Sequence, residues 1–260
     1  MRRRSTTARA VAAVTVTAWL LCGPATAGTV NAADYDAFWL WAGVAPQPAL
    51  AKARSLYILQ GQVGFSPLDS TASGHLIAQG GAMPRLHRGE VWIVYRVHTL
   101  NWRPQIYAQI LAQWRRWRDG GVPVVGIQID FDARTRHLDD YRAFLRDLRQ
   151  RLPAGCKLGI TGLLDWSSQG DPSALASLGG VVDELVLQTY QGRRTIPGYE
   201  AYLARLGRLK IPFKIGLVQG GEWHAPPEMA ANPWFRGYVV FLKNPNFSPS
   251  TLRGASPSRP

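Results

Sequence analysis

The chain has few of the residues and patterns that mark several common classes of protein. Its 260 residues include two cysteines, which are too few for a disulfide-stabilised scaffold. The five histidines form neither H-x-x-H nor H-E-x-x-H, so we expect no metal, with a zinc site assembled from distant strands as the weaker alternative. G-x-S-x-G is absent, and no glycine-rich phosphate loop follows the first predicted strand. We therefore expect neither a serine-nucleophile elbow nor a nucleotide cofactor.

Acidic residues are also scarce, with 17 Asp and Glu against 30 Lys and Arg and a formal net charge of +13. Such a balance first suggests a nucleic-acid partner. However, residues 1–27 contain four arginines and no acid, so removing them lowers the charge to +9. Many remaining arginines lie on polar faces of predicted helices, which are usually solvated. We therefore expect no nucleic acid, and a basic exterior that could meet an anionic glycan.

Residues 1–27 have the pattern of a secretory signal peptide. Basic residues come first, an apolar run follows from Ala10 to Leu21, and the segment ends in Ala25-Thr26-Ala27. This pattern predicts export to the periplasm or the extracellular space. Lipid attachment at Cys22 is a weaker alternative because Leu21 is bulky, and twin-arginine export is another. No later apolar run is long enough to predict a transmembrane segment.

The remaining chain alternates short apolar runs rich in β-formers with amphipathic stretches. Eight runs are predicted strands, three long stretches are predicted helices and three shorter stretches are weaker helix candidates. The Gly- and Ser-rich stretch Ser66–Glu90 is predicted to be a loop-rich crossover. The strands are Asp36–Gly43, Ser55–Val63, Val91–Thr99, Val122–Ala133, Lys157–Trp166, Val182–Gly192, Phe213–Gly220 and Gly237–Asn244. The helices are Gln105–Asp119, His137–Leu152 and Gly198–Lys210, with Pro46–Arg54, Pro172–Leu178 and Pro227–Phe235 as the shorter candidates.

This alternation predicts an α/β fold of parallel strands with right-handed crossovers. Eight units in one compact stretch favour a single (β/α)₈ TIM barrel over residues 28–250, followed by a disordered tail at 251–260. A doubly wound open sheet is the alternative, and the missing phosphate loop disfavours it. We expect a monomer.

The fourth predicted strand carries two carboxylates on one face. Val125, Ile127, Ile129 and Phe131 alternate with a polar set, so the apolar side chains are expected to face the helices. The polar set is expected to face the barrel mouth, with its carboxylates about 6–7 Å apart. Such neighbours can supply a general acid and a charged carboxylate, although Asp132 could instead cap the next helix. The polar set is Gly126, Gln128, Asp130 and Asp132.

Other predicted strands also end in polar or aromatic residues. Flat rings and bidentate polar groups at a barrel mouth are typical of a sugar-binding site. Packing in the core is the alternative role for the tryptophans. The candidates are Trp39, Trp41, Arg96, His98, Asp165, Trp166, Gln188, Tyr190, Gln191, Gln219, Glu222 and Trp223.

Together these motifs resemble a bacterial family, the domain-of-unknown-function family 3142 (DUF3142), which is regarded as a barrel related to glycoside hydrolases. The resemblance rests on FWLWAGV, the segment Gly81–His87, VWIVYRVHTL, GIQIDFDA, LLDW and VDELVLQTYQG. It covers nearly the whole chain after residue 27, and it implies the barrel fold without assigning an activity.

GIQIDFD also resembles, more distantly, the strand-four motif D-G-x-D-x-D-x-E of family 18 (chitinase-like) glycoside hydrolases. This resemblance implies that Asp132 stands where that family has its general acid, and that Asp130 is the carboxylate that orients the substrate. Tyr190, in VLQTYQG, would support the intermediate. Asp132 is shorter than the family's Glu, and Gln128 and Gln191 replace carboxylates.

Two functions follow as hypotheses. The first is an exported glycoside hydrolase-like protein in which Asp132 is the general acid, Asp130 stabilises charge, and the other candidates hold a polysaccharide. Asp132 and Glu222 could alternatively face each other as acid and nucleophile. The second is a polysaccharide-binding or assembly protein whose degenerate site has lost catalysis.

Overall fold

Eight parallel strands close on themselves to form the core of the protein. The computed structural model describes residues 28–41, 43–65, 73–80, 89–131, 138–164, 177–204 and 210–244. The barrel strands are β2 (Ala37–Leu40), β3 (Ser55–Phe65), β5 (Glu90–Val97), β6 (Val124–Phe131), β7 (Lys157–Leu163), β8 (Glu184–Gln188), β11 (Phe213–Val218) and β13 (Phe235–Phe241). Each pairs in parallel with the next, and β13 pairs with β2 to close the ring. The predicted TIM barrel is confirmed.

Short strands and helices complete the described structure. The additional strands are β1 (Gly28–Thr29), β4 (Gly74–Ala78), β9 (Tyr190–Gln191), β10 (Arg194–Thr195) and β12 (Glu222–Trp223). The α-helices are α1 (Pro104–Asp119), α2 (Leu138–Arg151) and α3 (Tyr199–Leu203), and 3₁₀ turns span Ala32–Asp34, Pro48–Lys52, Ser177–Gly180 and Pro227–Ala231. No helix within these described ranges is long and apolar enough to cross a bilayer.

The two long helices form where the apolar periodicity predicts them. Helix α1 begins at Pro104, whose fixed φ suits a first helical turn, and it buries Ile106, Ile110 and Trp114. Helix α2 buries Tyr141, among other residues. The third predicted helix has only α3 in the described part of the chain, and two shorter candidates form 3₁₀ turns over Pro48–Lys52 and Pro227–Ala231. The predicted signal peptide and tail lie outside the described residues.

Strand β4 corrects the prediction of a loop-rich crossover over Ser66–Glu90. It pairs antiparallel with the second half of β3, because β3 continues beyond the end of β2. Five residues with no polar alternation give a weak strand signal, and their partner is supplied by the tertiary fold. The β3–β4 hairpin therefore extends the barrel wall beyond the C-terminal end of β2.

The barrel lumen is filled by aromatic side chains that lie opposite glycines. Trp39, Tyr57 and Trp92 form an inner cluster that is separate from the larger core between strands and helices. A Cβ on Gly216 would lie 2.7 Å from the Trp39 ring, and one on Gly126 would lie 2.8 Å from the Trp92 ring. These glycines therefore give the indoles the space that they occupy.

The N-terminal end of the lumen contains a closed polar network. Lys214 donates to the Tyr57 hydroxyl at 2.8 Å and pairs with Glu184 at 3.1 Å. Tyr57 in turn donates to Glu184 at 2.5 Å. Burial, followed by the charge of Glu184, raises the pKa of Tyr57, which keeps this donor protonated. Each ionic group in this network therefore has a partner of opposite charge.

Cys156 lies just before β7 and is buried. Burial raises the pKa of its thiol to about 12, so the thiolate that would react is not formed at neutral pH. Cys156 therefore acts as a small core residue.

Candidate functional site

The site is built at the C-terminal ends of the barrel strands, where TIM barrels carry their chemistry. Inward-facing side chains at the ends of five of the eight barrel strands lie there. Trp41 follows β2, Arg96 is near the end of β5, Asp130 is near the end of β6, and Gln188 ends β8. Phe241 ends β13 and completes the set.

Asp130 lies in a polar arc formed by adjacent strands. Its side chain accepts a hydrogen bond from Thr161 on β7 at 2.8 Å and a longer one from Gln188 at 3.5 Å. Asp130 is only 6% exposed, so these two donors fix the direction of a nearly buried carboxylate. The alternation predicted for β6 is thus present at this end of the strand.

The start of β6 departs from the predicted alternation. A register shift on β6 sets Val91 opposite Val124 and Trp92 opposite Gly126. Val125 consequently packs against the inner cluster, whereas Ile127 and Ile129 belong to the outer core. Placing Val125 on the outer face was therefore wrong, because a bulge precedes Gly126.

An aromatic arc faces the polar one across the ring. Trp41 meets Phe241 edge to face with ring centroids 5.7 Å apart. Phe241 also stacks on Tyr190, which follows β8, with centroids 5.9 Å apart. Because Trp41, Phe241 and Tyr190 are each partly exposed, this arc offers flat apolar surface at the mouth.

Arg96 links the two arcs. It is in register with Asp130 on β6 and with Gln62 on β3. Its guanidinium lies 5.1 Å from the centroid of the Trp41 ring, within the range of a cation–π contact. A residue whose backbone is in register with Asp130 thus places its guanidinium against the aromatic arc.

A pair of glutamines holds the chain that follows β13. The backbone N–H of Lys243 donates to Gln219 at 2.9 Å, and its carbonyl accepts from Gln47 at 2.9 Å. Gln219 also donates to Gln47 at 2.8 Å. Gln219, which we predicted to bind substrate, is thus placed where it fixes the backbone of Lys243.

Two of the predicted substrate-binding residues lie one layer below the mouth. Trp39 is 2% exposed and donates its indole N–H to Gln128, which is fully buried, at 2.8 Å. This contact stacks Gln128 and Trp39 beneath the layer of Asp130 and Trp41. In this position they support the layer above.

Three further candidates lie away from the two arcs. Trp223 is buried in the outer core, where it stacks on Tyr199 with centroids 4.7 Å apart. Its neighbour Glu222 is exposed in the β1–β12 pair. Gln191 is exposed in the β9–β10 hairpin.

His98 is an exposed candidate at the end of β5, and its backbone N–H donates to Val63 at 2.8 Å. The catalytic candidate Asp132 and the binding candidates Asp165 and Trp166 lie outside the described residues, so their roles stay predictions.

Three site residues were missed by sequence reasoning. Thr161 has a detectable signal, because it is a polar residue between Ile160 and Gly162 in an otherwise apolar part of β7. Phe241 and Lys243 lie near the end of the last predicted strand, and the predicted site included neither a partly exposed phenylalanine nor a lysine.

The donor chemistry of the site suits hydroxyl-rich ligands more than metals. Within the described ranges, no group of three or more His, Cys, Asp or Glu side chains could hold a metal ion. The residues brought together are instead one fixed carboxylate, amides, a guanidinium and aromatic faces. Such a set can hydrogen-bond hydroxyl groups and stack on a sugar ring.

Most of this site lies in one continuous stretch of sequence, from Arg96 to Tyr190. That stretch matches a known family. Residues 94–208 match the family described as Domain of unknown function (DUF3142), which confirms the resemblance that the motifs predicted. The match is shorter than those motifs suggested, because FWLWAGV and the segment Gly81–His87 precede it. No curated protein matches the chain.

The chain is also similar to solved structures. It is 15% identical to the Bacillus cereus spore cortex-lytic enzyme SleL, with a TM-score of 0.42, over 70% of this chain and 49% of that one. It is 11% identical to the chitinase domain of the Clostridium difficile spore coat protein CotE, with a TM-score of 0.44, over 78% of this chain and 68% of that one. It is 11% identical to concanavalin B, with a TM-score of 0.47, over 81% of this chain and 94% of that one. This chain thus covers about half of SleL.

Proposed function

We propose that this protein is an exported carbohydrate-active barrel that hydrolyses O-glycosyl bonds of a polysaccharide. One observation carries the proposal: a nearly buried, hydrogen-bonded carboxylate faces an arc of partly exposed rings across the mouth of a closed barrel. A sugar ring can stack on Tyr190, Phe241 or Trp41 while its hydroxyl groups reach the polar arc. Export rests on the pattern of residues 1–27.

Asp130 would stabilise the positive charge that develops on the sugar ring during bond cleavage. Thr161 and Gln188 position it by donating to its carboxylate. Asp132, two residues further along the chain, would be the general acid. Tyr190 and Trp41 would hold the sugar. Trp39 and Gln128 would support Asp130 and Trp41 from the layer beneath them.

A second candidate function is polysaccharide binding without hydrolysis. One observation favours it: within the described residues, Asp130 is the one carboxylate on an inward strand position at this end of the barrel. Glycoside hydrolysis usually needs two acidic groups. The binding function would thus explain a site with one carboxylate, whereas hydrolysis requires Asp132 to supply the second.

A glycan array probed with the wild-type protein tests the carbohydrate role that both candidates share. We expect a set of bound polysaccharides, and a loss of affinity of about five- to tenfold in Tyr190→Ala, because stacking of this kind contributes on the order of 1–1.5 kcal/mol. Tyr202→Ala is the matched control, since Tyr202 lies on α3 and packs against the outer core.

Equal affinities of Tyr190→Ala and the wild-type protein would show that the aromatic arc is not the binding surface. An array without any bound glycan would contradict both candidate functions.

A further inference from the structure

Lys243 is a cation on the inward side of the barrel mouth. It lies two residues beyond Phe241, and Leu242 between them is fully buried in the outer core. Because side chains alternate along extended chain, Lys243 shares the inward side with Phe241. Its Nζ would lie 3.7 Å from a Cβ on Gly220, which places the ammonium over the end of β11.

The backbone around Lys243 is fixed on both sides. Gln219 accepts its N–H and Gln47 donates to its carbonyl, each at 2.9 Å, and the two glutamines bond each other. Three segments that follow separate barrel strands are thereby joined at this residue. The backbone of Lys243, from which the side chain extends, is therefore held in place beside the aromatic arc.

The ammonium has no acidic partner in the part of the chain that the structure describes. No described carboxylate lies within ion-pair distance of Lys243, although its side chain is partly buried. Burial, followed by the positive charge of Arg193, lowers the pKa of Lys243. A partly buried ammonium with a second positive charge near it, on the exposed Arg193, favours an anion.

The nearest binding surface is the aromatic arc. Tyr190 stacks on Phe241, and Arg193 is three residues beyond Tyr190 in the turn of the β9–β10 hairpin. A sugar that stacks on these rings would have one edge toward Lys243 and the opposite edge toward Asp130. A substituent on the edge near Lys243 would meet positive charge.

We propose that the polysaccharide is acidic, and that Lys243 binds an anionic substituent of the sugar held against Tyr190 and Phe241. This inference rests on the proposed carbohydrate function and adds the chemical class of its ligand. The favoured substituent is the carboxylate of a uronic acid, and a sulfate ester shares the same anionic chemistry.

Binding to a polyuronate and to its methyl-esterified form tests the inference, because the two differ in charge and share a backbone. We expect the wild-type protein to prefer the acidic form, and Lys243→Gln to lose about tenfold in affinity for that form alone. Lys243→Arg should keep most of the preference. Lys52→Gln is the control, since Lys52 is exposed and precedes β3 at the opposite end of the barrel.

Two results would overturn the inference while leaving the proposed function intact. One is equal binding of the acidic and esterified forms, and the other is an undiminished preference in Lys243→Gln. Preference for a sulfated polysaccharide that Lys243→Gln abolishes would support an anionic substituent and identify it as sulfate. Binding of no glycan of any charge would instead contradict the proposed function.

Discussion

The two ends of the barrel lumen use charged residues in different ways. At the N-terminal end, Glu184 and Lys214 neutralise each other and share the hydroxyl of Tyr57. At the C-terminal end, Asp130 accepts hydrogen bonds from Thr161 and Gln188, and its backbone is in register with Arg96.

This difference in partners separates the Glu184–Lys214 pair, which stabilises the fold, from Asp130, which we propose acts on a ligand. A buried ion pair whose hydrogen bonds are satisfied internally has no remaining need for a ligand. The carboxylate at the C-terminal end instead lies at the mouth, where partly exposed rings offer a surface to a ligand. Both ends contain ionisable residues, so residue type alone would not tell them apart.

The largest effect on stability should come from breaking the ion pair. Glu184→Gln leaves the ammonium of Lys214 buried without its counter-charge, so we expect the free energy of unfolding to fall by roughly 3–5 kcal/mol. Urea denaturation measures the change. The double variant Glu184→Leu with Lys214→Met should recover much of it, because it removes both buried charges.

Asp130→Asn provides the contrasting variant for that measurement. It keeps the size of the side chain and an acceptor for Thr161, and we expect a change of less than about 1 kcal/mol. If Asp130→Asn were as destabilising as Glu184→Gln, the two ends of the lumen would not differ in the way described.

A smaller loss of stability should follow from filling the space opposite Trp39. In Gly216→Ala the new methyl group would lie 2.7 Å from the indole, so we expect destabilisation of about 1–3 kcal/mol by urea denaturation. Gly180→Ala is the matched control, because no atom lies within 4 Å of its added Cβ.

Combining Gly216→Ala with Trp39→Phe should relieve part of the clash. If Gly216→Ala were as stable as Gly180→Ala, the tight packing of the lumen beneath the site would be contradicted.

The fold could be predicted from the sequence because each barrel strand has a local signal. Apolar runs bounded by turn residues identified all eight strands, although most of them end earlier than predicted, β8 by four residues, and β3 ends later. Strand β4 gave no comparable signal, since its pairing depends on how far β3 extends beyond β2. Pairing of that kind is a property of the assembled barrel.

The site was predicted less completely, because depth along the lumen cannot be read from alternation. Trp39 and Trp41 have the same inward parity, but Trp39 is buried against Gln128 while Trp41 is partly exposed at the mouth. Strand tilt and stagger decide which inward residue lies in which layer. Lys243 was missed for a related reason, since its position depends on Gln47 and Gln219 from distant segments.

The most direct test of the central claim is the release of reducing ends over time from a glycan that the protein binds. We predict steady release by the wild-type protein. Asp130→Asn should bind the same glycan, and its rate of reducing-end release should be at least about 100-fold lower than that of the wild-type protein. The reason is that the variant lacks the charge opposite the aromatic arc. Release by Asp130→Asn at the wild-type rate, or no release by the wild-type protein from a glycan that it binds, would contradict the account.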